Sequence, residues 1–198
     1  MADQSTFGAI LAGGKGRRFG ARKALAPLCG APLAAHVARV LRHEVSVLAV
    51  VGDAEVAALL SADALTDPPG VAEGPLAGVL AGLLWAHAHG KQWLATAPCD
   101  APLLPDDLVA RLKAGAELTG APGAHAHTAD VAHPLCALWA TGLLPHFQAA
   151  LRGGDHPPVH RFAAEIGAAR VLFDNPDEFL NVNTQEDLAR AEAILARR

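Results

Sequence analysis

Short aliphatic runs bounded by glycine or charge recur along this chain. Residues 7–11 and 45–51 are two such runs, and their length and composition are typical of strands buried inside a parallel sheet. Between them, residues 32–42 carry apolar side chains at the spacing of one helix face, with Pro32 at the start. The pattern predicts a strand–helix–strand unit with a right-handed crossover near the amino terminus.

The rest of the chain continues this alternation. Further strands are predicted at residues 93–97, 134–139 and 171–173, and further helices at residues 75–89, 106–114, 143–151 and 159–166 and, after a capping-box spacing, from Thr184 onward. The proline- and glycine-rich residues 67–74 predict a loop, and the weakly patterned residues 115–131 predict a loop with an irregular strand. Together these elements predict a three-layer α/β/α sandwich with a mostly parallel sheet, formed by a single domain of residues 1–198.

The segment after the first predicted strand is both glycine-rich and basic. Five of the sixteen Lys and Arg residues lie within nine positions, although the chain has a formal net charge of −4: Lys15, Arg17, Arg18, Arg22 and Lys23. Because like charges repel, this clustering favours a bound polyanion, and the glycines let backbone N–H groups approach its phosphate oxygens. The loop leaves the carboxyl end of a strand, where open α/β sheets bind ligands, and so predicts a nucleoside triphosphate site.

Spacing excludes two common phosphate-binding motifs from this loop. Gly14, Gly16 and Gly20 are too far apart by one residue for the dinucleotide fingerprint, and no register supplies the Gly-Lys-Ser/Thr of a P-loop. The alternative interpretation is a solvated basic turn between a strand and a helix.

Composition narrows the class of protein. A chain of 198 residues that is 52% hydrophobic and 18% charged is long enough for a sizeable core and is not disordered. Its acidic balance argues against a general nucleic-acid surface. The three cysteines, Cys29, Cys99 and Cys136, are too widely spaced for a disulfide framework or a zinc site. The polar amino terminus and the short apolar runs predict a soluble cytoplasmic protein with no signal peptide and no membrane partner.

Acidic and amide side chains at the predicted sheet edge are candidate ligands. Asp100 follows a buried strand between Pro98 and Pro102, where its carboxylate can hold Mg²⁺ or serve only as a turn or cap residue. Asn183 can complete a Mg²⁺ shell or simply cap the last helix. Asp67 can accept from a base or ribose, or open a turn before two prolines.

Three histidines form a weaker candidate site. His125 and His127 alternate along the chain, so that they would share one face of a strand, and His133 follows nearby. The surrounding residues supply no Cys or Glu at a suitable spacing, which disfavours a zinc site. His133, next to Pro134, is better placed near a substrate cleft.

Five strings, taken together, resemble the molybdenum cofactor guanylyltransferases. The opening string is Leu-Ala-Gly-Gly-Lys-Gly-Arg-Arg-Phe-Gly at residues 11–20, followed by Lys23. The others are Gly-Pro-Leu-Ala-Gly at 74–78, Cys-Asp-Ala-Pro-Leu-Leu-Pro at 99–105, His-Pro-Leu-Cys-Ala-Leu at 133–138 and Asn-Val-Asn-Thr at 181–184. The resemblance runs from the first strand to the last helix and implies a Rossmann-like nucleotidyltransferase of the glycosyltransferase-A-like type.

That resemblance also implies a reaction. The terminal phosphate of molybdopterin would attack the α-phosphorus of GTP, release pyrophosphate and leave the guanine dinucleotide form of the cofactor. The implied partners are GTP, molybdopterin (the molybdenum cofactor) and cofactor-accepting molybdoenzymes or their chaperones. The chemistry needs mainly positioning and charge neutralisation, and no general base, because a phosphate monoester is already an anion.

Residue roles follow from the same resemblance. We expect Lys15 and Arg18 on the β- and γ-phosphates, Lys23 on the α-phosphate and Asp100 on Mg²⁺, so that these four form the catalytic set. The expected GTP-binding residues are Leu11, Ala12, Gly13, Gly14, Lys23, Asp67 and Asp100. The expected contacts of the second substrate are Gly78, His133, Asn181 and Asn183.

The chain departs from the family pattern at several positions. Phe19 replaces the usual Met, Arg22 stands where Asp is common, and Gly52 falls where relatives carry an Asn. The late Gly-x-Arg-Arg segment reads Gly-Asp-His-Pro-Pro at residues 154–158. The rival hypotheses are the related CTP-using cytidylyltransferase, a sugar-phosphate nucleotidyltransferase, and a nucleotide-binding delivery factor without turnover.

Overall fold

A seven-stranded sheet forms the centre of the computed structural model, which describes residues 3–13, 23–129, 131–154 and 156–197. Its strands are β1 (Thr6–Leu11), β4 (Leu48–Val51), β5 (Asp63–Leu65), β6 (Trp93–Pro98), β7 (Gly123–Thr128), β8 (Val131–Ala140) and β9 (Ala169–Phe173). The order across the sheet is β5-β4-β1-β6-β8-β7-β9, and within these described strands β8 alone runs antiparallel to its neighbours. A separate two-stranded hairpin joins β2 (Pro27–Leu28) to β3 (Ala31–Pro32).

Helices cover both faces of the sheet. They are α1 (Leu33–Glu44), α2 (Ala54–Leu59), α3 (Pro75–Ala88), α4 (Leu108–Thr119), α5 (Leu144–Ala150), α6 (Val159–Glu165) and α7 (Gln185–Leu195). In the described part of the chain, none of the helices is long and apolar enough to cross a membrane.

The side chains of β1 show why the sheet needs cover on both faces. Successive strand residues point to opposite faces. Phe7 and Ala9 pack into a core with α3, α5 and α6, whereas Ile10 packs into a second core with α1, α2 and α4. All three are at least 96% buried, so an apolar run in β1 requires a helical layer on each side. The predicted three-layer α/β/α fold with a mostly parallel sheet is confirmed.

A third, smaller core attaches α7 to the hairpin. Ala191 of α7 and Val182 just before it pack against Leu28, Leu33 and Leu103. The carboxyl-terminal helix therefore lies beside the segment that follows the first strand rather than over the sheet, and it brings residues 181–184 to the same edge.

The structure differs from the sequence prediction in the middle of the chain. Residues 115–131 are not a loop with an irregular strand, because α4 continues to Thr119 and a fully buried β7 follows. The strand was obscured because β7 alternates histidine with alanine, and neither residue gives a strong apolar signal. The short elements α2 and β5 and the β2–β3 hairpin were not predicted, since each has at most six residues.

Candidate functional site

A cleft of about 560 Å³ opens at the carboxyl ends of β1 and β6. Because these strands are parallel neighbours, their last residues, Leu11 and Pro98, meet at one edge of the sheet. The predicted nucleotide residues that line this cleft are Leu11, Ala12, Gly13, Lys23 and Asp100. Residues 14–22, which include the predicted Gly14, Lys15 and Arg18, lie outside the described residues.

Two glycines touch where the chain leaves β1. Gly52 follows β4 with a φ of +89°, and a Cβ added there would lie 2.6 Å from the Cα of Gly13. The Ala12 N–H donates to the Val51 carbonyl at 2.9 Å, which extends the pairing of the two strands to this point. A side chain at residue 52 would therefore collide with the backbone of the candidate phosphate loop.

Lys23 holds the polar centre of the cleft together. Its ammonium forms an ion pair with the Asp100 carboxylate and donates to the Asn183 Oδ1 at 2.6 Å. The side chains of Lys23 and Asp100 are 16% and 21% exposed, so the pair is partly shielded from water. Residues far apart in the chain thus place two side-chain oxygens around one cationic group.

Backbone hydrogen bonds fix the turn that carries Asp100. The Cys99 N–H donates to the Leu11 carbonyl at 3.1 Å, which ties this turn to the end of β1. The Val182 N–H donates to the Asp100 carbonyl at 2.8 Å, which ties it to the segment before α7. The direction of the Asp100 carboxylate is therefore set from two sides.

The start of α7 bears on the two roles expected for Asn183, a Mg²⁺ ligand or a cap of the last helix. Thr184, not Asn183, is the N-cap, and its hydroxyl accepts from the Asp187 N–H at 3.1 Å while Asp187 accepts in return, as a capping box. The Asp187 Oδ2 also accepts from the Asn183 N–H at 2.9 Å. This bond, with those from Thr184, holds the pKa of Asp187 below its usual value. The Asn183 side chain is thereby left to face Lys23.

The far part of the cleft is more apolar. His133 stacks on Phe179 with ring centroids 4.6 Å apart, and its Nε2 is paired with the Thr128 hydroxyl at 2.9 Å. Burial lowers the pKa of His133. Asn181 lines the cleft as well, so two of the predicted second-substrate residues border it.

Asp67 and Gly78 lie behind the cleft rather than on its lining. A Cβ at Gly78 would lie 3.3 Å from the Leu11 side chain and 3.8 Å from the Asp67 Oδ1, so the glycine lets α3 approach β1 closely. Burial, followed by the nearby Glu73, raises the pKa of Asp67. Asp67 therefore lies beside the first turn of α3, next to the strand end that lines the cleft.

The other two candidate histidines, His125 and His127, have hydrogen-bond partners within the protein, and two of the three cysteines are buried. His127 Nε2 is paired with an Arg170 guanidinium nitrogen at 2.7 Å, and His125 Nδ1 with the Ala126 carbonyl at 3.2 Å. Cys29 is exposed, whereas Cys99 and Cys136 are buried. Burial raises the pKa of Cys99 to about 12, so its thiol is held in the neutral form.

Several residues that line the cleft were missed from sequence. Asp53 lies there and caps α2 by accepting from the Glu55 and Val56 N–H groups at 3.1 Å. An acidic residue immediately before a helical segment is a recognisable N-cap signal, and it could have revealed α2. Phe179 and His160 also line the cleft, but they come from parts of the chain with no local motif.

Comparison with known proteins places this geometry in a family. A family model described as the MobA-like NTP transferase domain matches residues 8–167. The molybdenum cofactor guanylyltransferase of Cereibacter sphaeroides is 44% identical over 194 residues, which cover 96% of this chain and 97% of that protein. The protein of the same name from Rhodobacter capsulatus is 43% identical over 188 residues, 93% and 94% of the two chains.

Solved structures share the fold. Molybdopterin-guanine dinucleotide biosynthesis protein A from Archaeoglobus fulgidus superposes with a TM-score of 0.74 at 24% identity, over 97% of this chain and 100% of that one. A protein from Mycobacterium sp. strain JC1 gives the same TM-score and identity over 98% of each chain. On the family model and the curated relatives, the chain belongs to the MobA-like NTP transferase family.

Proposed function

We propose that this protein transfers GMP from GTP to molybdopterin, forming the guanine dinucleotide cofactor and releasing pyrophosphate. The observation that carries the proposal is the joint position of Lys23, Asp100 and the end of β1 around one cleft. Support also comes from relatives of 43–44% identity that are named molybdenum cofactor guanylyltransferase and match nearly the whole chain. The chain is a nucleotidyltransferase by family.

Each residue has a physical task in this proposal. The backbone of Leu11, Ala12 and Gly13 lies against the nucleotide, and Lys23 neutralises the charge that develops at the α-phosphate. Lys15 and Arg18 are assigned to the β- and γ-phosphates of the leaving group. His133 and Asn181 line the part of the cleft assigned to molybdopterin, whose terminal phosphate is already an anion and needs no general base.

The donor set of the cleft fits a Mg²⁺ ion. The Asp100 carboxylate and the Asn183 amide oxygen converge on the Lys23 ammonium, so two hard oxygen donors already surround one cationic position. Asp100, with Asn183 beside it, would hold the ion. When bound, Mg²⁺ would supply charge neutralisation to the phosphate oxygens.

A nucleotide panel tests the substrate. GTP, CTP, ATP and UTP are each supplied with Mg²⁺ and molybdopterin, and pyrophosphate release is measured. We expect turnover with GTP at least about tenfold above the others, a difference of about 1.4 kcal/mol in transition-state binding. A preference for CTP would contradict the proposal, and binding without any pyrophosphate release would indicate a delivery factor.

The variant Asp100→Asn tests the proposed metal ligand. We expect turnover to fall by about 10²-fold or more, because the partly shielded carboxylate that would hold the ion beside the reacting phosphate loses its charge. Asp106→Asn is the matched control. Asp106 lies only six residues after Asp100 in the chain, and its carboxylate is exposed and paired with Arg39. Wild-type activity and unchanged Mg²⁺ dependence in Asp100→Asn would remove this residue from the mechanism.

A further inference from the structure

A histidine outside the predicted sites contacts the first turn of α3. The Nε2 of His156 accepts a hydrogen bond from the Leu76 N–H at 3.1 Å. That N–H belongs to the group at a helix start which has no partner inside the helix. His156 supplies this partner from a segment 80 residues further along the chain.

Gly74 makes room for the imidazole. A Cβ added to Gly74 would lie 2.2 Å from the His156 Nε2 and 2.4 Å from its Cδ2. Any residue other than glycine at position 74 would therefore push the imidazole ring of His156 away from Leu76. The glycine and the histidine form one matched contact.

The contact joins two parts of the cleft lining, the α3 wall and the α6 wall. Pro75, which begins α3, forms the first, and Val159 and His160, which begin α6, form the second. Only Pro157 and Pro158 separate His156 from α6, and proline restricts φ, so the position of the histidine is transmitted to the helix start. The Pro158 carbonyl then accepts from the Arg161 and Phe162 N–H groups at 3.0 Å.

We propose that His156 is a positioning residue that sets the distance between the α3 wall and the α6 wall of the cleft. It does so as a neutral imidazole that carries its proton on Nδ1 and accepts the Leu76 N–H on Nε2. This inference rests on the proposed function, and it assigns the α6 wall to the part of the cleft that takes molybdopterin.

The difference in length between α3 and α6 determines which substrate is affected when the contact between His156 and Leu76 is lost. α3 has fourteen residues, most of them buried against the sheet, whereas α6 has seven. Loss of the contact therefore shifts the start of α6 rather than α3. The Michaelis constant for molybdopterin should rise, while that for GTP changes little.

Two substitutions separate the acceptor from the bulk of the ring. His156→Gln keeps an acceptor at about the reach of Nε2, whereas His156→Phe keeps a ring of similar size without one. The same two changes at His87, an exposed residue near the other end of α3, are the matched controls. Unfolding midpoints of all four variants are measured first, to identify any that fail to fold.

Kinetics provides the first readout. We expect His156→Phe to raise the Michaelis constant for molybdopterin about tenfold, with little change in kcat or in the value for GTP, and His156→Gln to restore it. The proposal would be overturned if the Michaelis constants for both substrates rose equally in His156→Phe and were not restored in His156→Gln.

Two readouts do not depend on turnover. Nitrogen-15 NMR should show the proton of His156 on Nδ1, and amide hydrogen exchange at Leu76 should be slow in the wild type and in His156→Gln but fast in His156→Phe. A proton on Nε2, or exchange unaffected by the phenylalanine, would overturn the proposal. If no nucleotide turns over but these two signatures hold, the proposed reaction fails while the contact between the walls stands.

Discussion

At the scale of single residues, the contact between Gly13 and Gly52 limits what can occupy the end of β1. The two backbones approach so closely that a Cβ at Gly52 would lie 2.8 Å from the Gly13 nitrogen. The glycine is therefore a consequence of how this chain packs its first two parallel strands at the cleft.

The variant Gly52→Ala tests this contact. We expect a loss of about 2–4 kcal/mol in the free energy of unfolding, from the positive φ and the collision together, and weaker GTP binding. Gly30→Ala is the control, because Gly30 also has a positive φ of +84° but has nothing within 4 Å of an added Cβ. Urea unfolding and nucleotide titration measure both effects, and equal losses in the two variants would show that φ alone matters.

At the scale of elements, α7 orients the side chain that faces Lys23. Asp187 accepts from the N–H groups of Asn183 and Thr184, both at 2.9 Å, so the helix start fixes the backbone of the residue that reaches into the site. A helix of the third core thus supports the polar centre of the cleft. The same element supplies stability and geometry.

The variant Asp187→Ala tests the role of the capping box. Loss of the cap should cost about 1 kcal/mol of unfolding free energy and raise the Michaelis constant for GTP several-fold, because Asn183 loses its anchor. Glu186→Ala, which removes the neighbouring acidic residue of the same turn, is the control for charge. Unchanged GTP kinetics in Asp187→Ala would limit this residue to helix stability.

At the scale of the whole molecule, Asp3 ties the amino-terminal segment to α4. Its carboxylate accepts from the Lys113 ammonium at 2.6 Å and from the Thr6 hydroxyl at 2.6 Å. Burial alone would raise the pKa of Asp3, but these bonds outweigh it and lower the pKa below the usual value of 3.8. The ionised carboxylate is therefore favoured in the folded protein.

The variant Asp3→Asn tests this link through its pH dependence. A lowered pKa contributes stability above the unfolded value, and that contribution is lost as the pH falls through and below it. Asp3→Asn should be less stable than the wild type by about 1 kcal/mol at pH 7, and the difference should shrink below pH 3.8. Urea unfolding across this range measures it, with Asp106→Asn as an exposed-pair control; a constant difference would contradict the ionic explanation.

Particular elements show how far the sequence predicts the fold. The strands near residues 7–11 and 93–97 and the helix α3 were predicted closely because their apolar runs and bounding Pro and Gly are strong local signals. β7 was obscured because it buries two polar residues, His125 and His127. His127 is paired with Arg170 of β9, and His125 with the carbonyl of the adjacent Ala126. Such burial has no local signature.

The residues of the candidate site also differ in how far the sequence could reveal them. Asp100 and Lys23 could be named from strings in the chain, and the structure brings them together around one cleft. The basic residues Lys15 and Arg18 lie outside the described residues, and their roles stay predictions. Phe179 and His160 could not be found, because their place at the cleft depends on packing between distant elements. The N-cap signal of Asp53 indicates the helix α2 but not the position of Asp53 at the cleft.

The sequence by itself determined the layered α/β class and the family, since apolar period, turn residues and motif strings are all encoded over short stretches. Only the tertiary structure decided that Asn183 faces Lys23 and that His156 reaches the start of α3. These contacts join residues 80 to 160 positions apart. Their partners are selected by the packing of the sheet and helices, and a local pattern carries no information about that packing.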